Sequence, residues 1–151
     1  MDHVVCLDYD ALEIENLISG KKSMIIRGAD VVKSPYGIVR EGDNLYFINN
    51  NGDRIVKARG IVSHVINSEQ LSSEESFEII IMYQDKLQLP DQQFYRWAGK
   101  KYLVLIELAE IEKVQPFSID KSNITCTDDW LQVGDIKKVT VYGSNFLPPC
   151  R

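Results

Sequence analysis

The sequence predicts an α+β fold: a small mixed β-barrel with helices packed at its rim, or the same strands laid out as an open sheet. Three observations carry this. Short runs of β-branched and aliphatic residues recur at 3–8, 23–27, 45–48, 55–66 and 102–109, with turn chemistry between them. Residues 68–97 switch to helical spacing. A further short helix falls between the first two runs, so the strands surround the helices, an order that suits a barrel closed over one core.

The elements follow in chain order. Residues 3–8 form a first strand. Asp10 then precedes Leu12, Ile14, Leu17 and Ile18, which nearly fit one helical face, and Gly20 stops that helix. Residues 23–27 are the second strand. Lys33-Ser34-Pro35-Tyr36-Gly37 and Glu41-Gly42-Asp43-Asn44 are turns, and Leu45-Tyr46-Phe47-Ile48 is a strand. Asn49-Asn50-Asn51-Gly52-Asp53 is a hairpin signal, because Asn and Gly tolerate positive φ at low cost. Residues 55–66 form one long strand. Ser72-Ser73-Glu74-Glu75 opens a helix, with acids near its positive end, that runs toward Lys86. Pro90 or Asp91 opens another, ending near Gly99. Residues 102–109 are a buried-type strand, and residues 111–116 read as a connection.

With 151 residues, 44% of them hydrophobic, the chain forms one domain with a real core and is too apolar to be disordered. No apolar run approaches the roughly 20 residues a spanning helix needs, so no membrane association is expected. Seventeen basic against 22 acidic residues give a net charge of −5, which argues against a globally basic nucleic-acid binder but leaves room for a local basic site. Cys6, Cys126 and Cys150 are odd in number and far apart, and His3 and His64 are the only histidines, so neither a disulfide framework nor a zinc site is expected. The N-terminus lacks the charge and apolar core of a signal peptide. A cytoplasmic protein with reduced cysteines and no cofactor is expected.

One motif points toward function. Gly20-Lys21-Lys22-Ser23-Met24-Ile25-Ile26-Arg27 sits where the first helix hands over to the second strand, and Gly42-Asp43 follows downstream. This resembles the ASCH domain of the PUA-like superfamily, whose pattern runs Gly-x-Lys-x-x-Glu-x-Arg and then Gly-Asp before a strand. Gly20, Lys22, Arg27, Gly42 and Asp43 match. The resemblance covers about residues 8–115 and leaves 116–151 as a C-terminal extension of a single domain. It implies a PUA-like pseudo-barrel with helices around it. The family's acidic position is Ile25 here. Relatives similar to acylcytidine amidohydrolases carry a Thr at that place, with a Lys and a Glu completing the catalytic group. Ile25 offers neither nucleophile nor proton acceptor, so no catalytic residue is assigned, although Ser23 lies on the same strand face.

The residues themselves suggest a binding site. Lys22 and Arg27 are two cations near one strand end, suited to a phosphate or carboxylate. Residues 92–102 hold Arg96, Lys100 and Lys101 interleaved with Phe94, Tyr95, Trp97 and Tyr102, and no acid. Such interleaving suits single-stranded nucleic acid, with charges on phosphates and rings on bases. The expected ligand-binding set is Lys22, Ser23, Arg27, Arg96, Trp97, Lys100 and Tyr102, and the expected ligand is single-stranded RNA or a nucleotide-like small molecule. Plainer roles stand beside each: Lys22 solvated at a helix end, Arg27 paired with Asp43 or Glu107, Trp97 in the core, Lys100 solvated or lying over a ring. Asp128-Asp129 reads as a turn or cap, Cys126 as a packed side chain, and His64 as a packed or edge histidine. The competing functions are a small amidohydrolase acting on acylated nucleosides and a protein-interaction domain with a vestigial cleft. The oligomeric state is left open.

Overall fold

A computed structural model describes residues 1–120 and 129–141. The strands are β1 (Asp2–Leu7), β2 (Met24–Ala29), β3 (Asn44–Asn49), β4 (Ile55–Asn67), β5 (Tyr102–Ile119), β6 (Trp130–Gly134) and β7 (Thr140–Val141); the helices are α1 (Glu13–Ile18), α2 (Ser73–Met82), α3 (Gln84–Leu87) and α4 (Asp91–Trp97). Among the described residues the strands form one sheet in the order β2-β5-β4-β3-β1-β6, with β7 on β5. Only the β1–β3 pair is parallel. The sheet curls into a half-barrel with the four helices packed around it, the predicted α+β pseudo-barrel.

Period-two alternation divides each strand between two faces. Val5 and Leu7 of β1, Ile25 of β2, Leu45 and Phe47 of β3, and Val104, Ile106 and Leu108 of β5 point into the barrel, where Ile14 and Leu17 of α1 close one end. Their neighbours Met24, Ile26, Leu103 and Leu105 point outward, under Ile80, Leu87, Leu89 and Trp97 of the helical segment. Val4, Ile48, Val56, Phe117 and Ile119 make a third cluster, with Val4 and Ile48 on the opposite face of β1 and β3 from Val5 and Phe47.

Several elements differ from expectation. Leu12, expected on the buried face of the first helix, is its exposed N-cap at φ 54°. The helix expected to run toward Lys86 breaks at Tyr83 into α2 and α3. Ser72 accepts from the Glu75 amide while the Glu75 carboxylate accepts from the Ser72 amide, so the capping box starts α2 as the sequence suggested. The expected connection 111–116 is strand: β5 runs 18 residues, shifting register against β4 in its middle, with Glu110 at φ 50°. This half of β5 carries exposed charges, such as Glu112 bonded to Arg59 at 2.9 Å, and so lacks the apolar signature of the first half.

Residues 130–134 and 140–141, expected as part of an extension, belong to the sheet, with a 3-10 turn at Ile136–Lys138 between them: β6 pairs antiparallel with β1 and β7 with β5. No helix among the described residues is long and apolar enough to cross a membrane. Cys126 and Asp128 lie outside the described residues.

Candidate functional site

The strand order leaves β2 and β6 at opposite ends of the ladder, so the barrel has a seam between them. A side chain spans it. Arg27 of β2 donates from Nη1 to its neighbour's carbonyl, Ile26 O, at 2.7 Å, and from Nη2 to Cys6 O of β1 at 2.6 Å. Its guanidinium carbon lies 5.8 Å from the Trp97 ring centroid and 5.9 Å from that of Trp130. Each such cation–ring contact contributes about 0.5–1 kcal/mol.

The expected partners of Arg27 are committed elsewhere. Asp43 bonds His3 at 2.7 Å and lies 3.6 Å from the N-terminal amine; Glu107 pairs with Lys86 at 2.8 Å. Among the described residues Arg27 has no carboxylate within ion-pair distance, and its Nε is buried without a hydrogen-bond partner.

A cavity of about 480 Å³ opens along this seam. Its walls come from β2 (Arg27, Gly28, Ala29), the β2–β3 loop (including Lys33 and Tyr36), α4 and the turn after it (Arg96, Trp97, Lys100), β5 (Tyr102, Val104) and the start of β6 (Asp129, Trp130). The loop holds a cis Ser34–Pro35 bond. Gly28 lets β2 approach its neighbours, since a Cβ there would meet Leu103 Cδ2 at 2.9 Å and Lys100 Cβ at 3.3 Å. Arg96 lies over the Trp97 ring at 4.7 Å and bonds Asp129 at 3.1 Å. Tyr36 and Tyr102 meet edge to face at 5.7 Å, and Tyr36 is anchored through its hydroxyl on Ser68 O. Lys100 lies 4.0 Å from Asp30.

Trp130 is fixed from behind. Its Nε1 donates to His3 Nδ1 at 3.0 Å, and His3 Nε2 lies 2.7 Å from Asp43 Oδ2. Indole is only a donor, so Nδ1 accepts and Nε2 carries the proton given to Asp43. Burial pushes the Asp43 carboxyl upward, but the hydrogen bonds from His3 and the Arg40 amide, with the nearby N-terminal charge, outweigh this and hold it below 3.8. Gly42, at φ +90°, makes the turn that delivers Asp43 to this place. The Gly-Asp element thus supports the wall of the cleft rather than lining it.

Five of the seven expected site residues, Arg27, Arg96, Trp97, Lys100 and Tyr102, line this one cavity. Lys22 and Ser23 do not. Lys22 is 2% exposed, with Nζ 3.2 Å from Glu13 Oε2 and donating to Leu87 O at 2.7 Å. Burial depresses its pKa below 10.5, against the opposing pull of Glu13. Lys22, expected as a ligand residue with a solvated cation as the plainer alternative, is held in a buried ion pair that ties α1 to α3. Ser23 precedes β2 and links by its backbone to Lys86 O and the Leu108 amide. Ile25 is fully buried inside the barrel and does not line the cavity.

Trp97 fills both of its alternatives, packing in the outer core and walling the cleft. His64 is exposed on β4, opposite Glu107. Lys33, Tyr36, Asp129 and Trp130 were not singled out for the site; a tryptophan beside an aspartate pair in a polar segment was the available signal. Among the described residues no group of three or more His, Cys, Asp or Glu side chains stands where it could hold a metal ion.

The half-barrel, its strand order and its peripheral helices define a PUA-like pseudo-barrel. More particularly, the fold is that of ASCH domain proteins. The crystal structure of the ASCH protein from Zymomonas mobilis superposes with a TM-score of 0.64 and 12% identity over 87% of each chain. Two point variants of that protein give 0.65 at 12% identity, covering 87% of each chain in one case and 93% of this chain and 99% of the other in the second. No protein-family model and no curated protein matches the sequence.

Proposed function

We propose that the seam cleft binds a nucleotide-like ligand, free or as part of single-stranded RNA, and that the protein is a non-catalytic binding module. The observation that carries this reading is Arg27: a half-buried cation, fixed by two carbonyls and two indole rings, with no carboxylate partner among the described residues. Its charge is oriented before any ligand arrives, and the two indole rings beside it displace water and raise its pull on an anion. Lys33, Lys100 and Arg96 add positive charge around it, and Trp97, Trp130, Tyr36 and Tyr102 supply ring faces or edges. Phosphate and base are recognised by those two chemistries together.

No observation favours hydrolysis of acylated nucleosides. Ile25, at the position that the resemblance to amidohydrolases would make catalytic, is an apolar side chain inside the core, and the amine of Lys22 is held by Glu13 and Leu87 O. The exposed apolar side chains Ile81, Met82 and Tyr95 belong to α2 and α4 and do not line the cleft.

The test is titration with short single-stranded RNAs and free nucleotides at low and moderate salt, on wild type and on Arg27→Gln/Lys100→Gln. Wild type should bind with salt-sensitive affinity. The variant should bind about tenfold or more weakly with a shallower salt slope. Equal affinity in the two proteins would sink the proposal.

A further inference from the structure

A second, small cavity of about 20 Å³ adjoins the cleft, and Arg27, Arg96, Trp97 and Asp129 line both. These four side chains are therefore a partition. The small space holds about one water molecule, so the main cavity is the one with room for a ligand. The main cavity lies within the roughly 300–1,000 Å³ common for small-molecule sites.

The two arginines, Arg27 and Arg96, stand in the partition, while Lys33, Lys100 and the Tyr36–Tyr102 pair line the main cavity alone and Asp8 and Glu13 line the small one alone. Tyr102 pairs with Ala29, two residues along β2 from Arg27, about 7 Å further out. Asp129 is the one acid among the described residues lining the main cavity, and its carboxylate already takes one edge of the Arg96 fork. An incoming anion must share or displace that carboxylate. A phosphate monoester carries about −1.5 to −2 charge at pH 7, whereas an internal phosphodiester carries only one charge and brings two chain ends.

We infer that the cleft selects a terminal phosphate monoester of a nucleotide, seated against Arg27 and Arg96 with its base toward Tyr36 and Tyr102, and that Asp129 is the intramolecular anion it displaces. This rests on the binding reading above and narrows it. The same chemistry has two sources, a free mononucleotide or the phosphorylated end of an RNA.

Calorimetric titration separates them, using adenosine, adenosine 5′-monophosphate and one pentaribonucleotide prepared with a 5′-phosphate, a 3′-phosphate or neither. The monophosphate should bind about tenfold tighter than adenosine, as expected from new charge-assisted hydrogen bonds. A matching preference among the pentanucleotides supports the inference with an RNA end as source; a preference confined to the mononucleotide supports it with the free nucleotide. Asp129→Asn should tighten binding of the monoester several-fold, and this gain should vanish in an Arg96→Gln background, because Asp129 acts through Arg96. Equal affinity for phosphorylated and unphosphorylated forms overturns the inference but leaves the cleft as a binding site. So does weaker monoester binding in Asp129→Asn. Absence of binding by every ligand in wild type overturns the binding reading and this one with it.

Discussion

Replacing Lys22 with methionine should cost the fold about 3–5 kcal/mol. The Lys22 ammonium lies 3.2 Å from Glu13 Oε2, with the two side chains 2% and 7% exposed. At an effective dielectric constant of about 20, unit charges at that separation attract by about 5 kcal/mol. Burying both charges offsets most of this gain, so the intact pair adds little net stability. Removing one partner is different. Glu13 keeps only the Asp8 amide, at 2.9 Å, as a described hydrogen-bond donor, and Leu87 O loses the 2.7 Å bond from Nζ. Methionine preserves the length of the side chain, so the loss reports charge rather than a void. Urea unfolding followed by far-ultraviolet circular dichroism measures it. Lys22→Met/Glu13→Gln should recover most of the loss, and neither variant should change ligand affinity per folded molecule, since Lys22 does not line the cleft. Because burial lowers the Lys22 pKa, the unfolded chain binds more protons at alkaline pH, and the contribution of this site to stability rises as pH climbs toward 10.5. A single variant within about 1 kcal/mol of wild type, or a double variant no more stable than the single one, would refute the reasoning.

Two further outcomes are expected. Asp43 is held below 3.8 in the folded protein, so its contribution to stability is present above that value and lost as pH falls through the folded pKa; melting temperature against pH should fall less steeply below about pH 4 in Asp43→Asn, and an unchanged profile would dismiss the assignment. Gly28→Ala places a Cβ 2.9 Å from Leu103 Cδ2 and should cost about 1–3 kcal/mol by overpacking, while shifting a wall of the cleft; a melting curve and a ligand titration on the same variant would show both, and wild-type values in both would contradict the close approach.

The strands and helices were legible where one face is buried and the other is not. Val5, Leu7, Leu45, Phe47, Val104 and Ile106 alternate with residues of another cluster, and that period is visible in sequence. The second half of β5 was not legible, because its pairing with β4 is exposed and charged, as at Arg59 and Glu112. The cavity was legible as composition: Arg96, Trp97, Lys100 and Tyr102 of the 92–102 segment line the same cavity as Arg27. What failed was the partnership of each charge. Glu13 lies nine residues before Lys22 on α1, and His3 lies 40 residues before Asp43. Only the fold brings them together, turning one expected ligand residue into a buried tie and one expected motif into a prop for Trp130.

The chain contains two tryptophans, and both stand in the walls of the cleft on either side of Arg27. Indole emission from the native, unlabelled protein therefore originates wholly at the seam. Any occupant that approaches the guanidinium alters the field felt by both chromophores at once. Trp97→Phe and Trp130→Phe would leave one emitter each, one on the helical wall and one on the strand wall, so the two sides of the cleft can be followed separately by light.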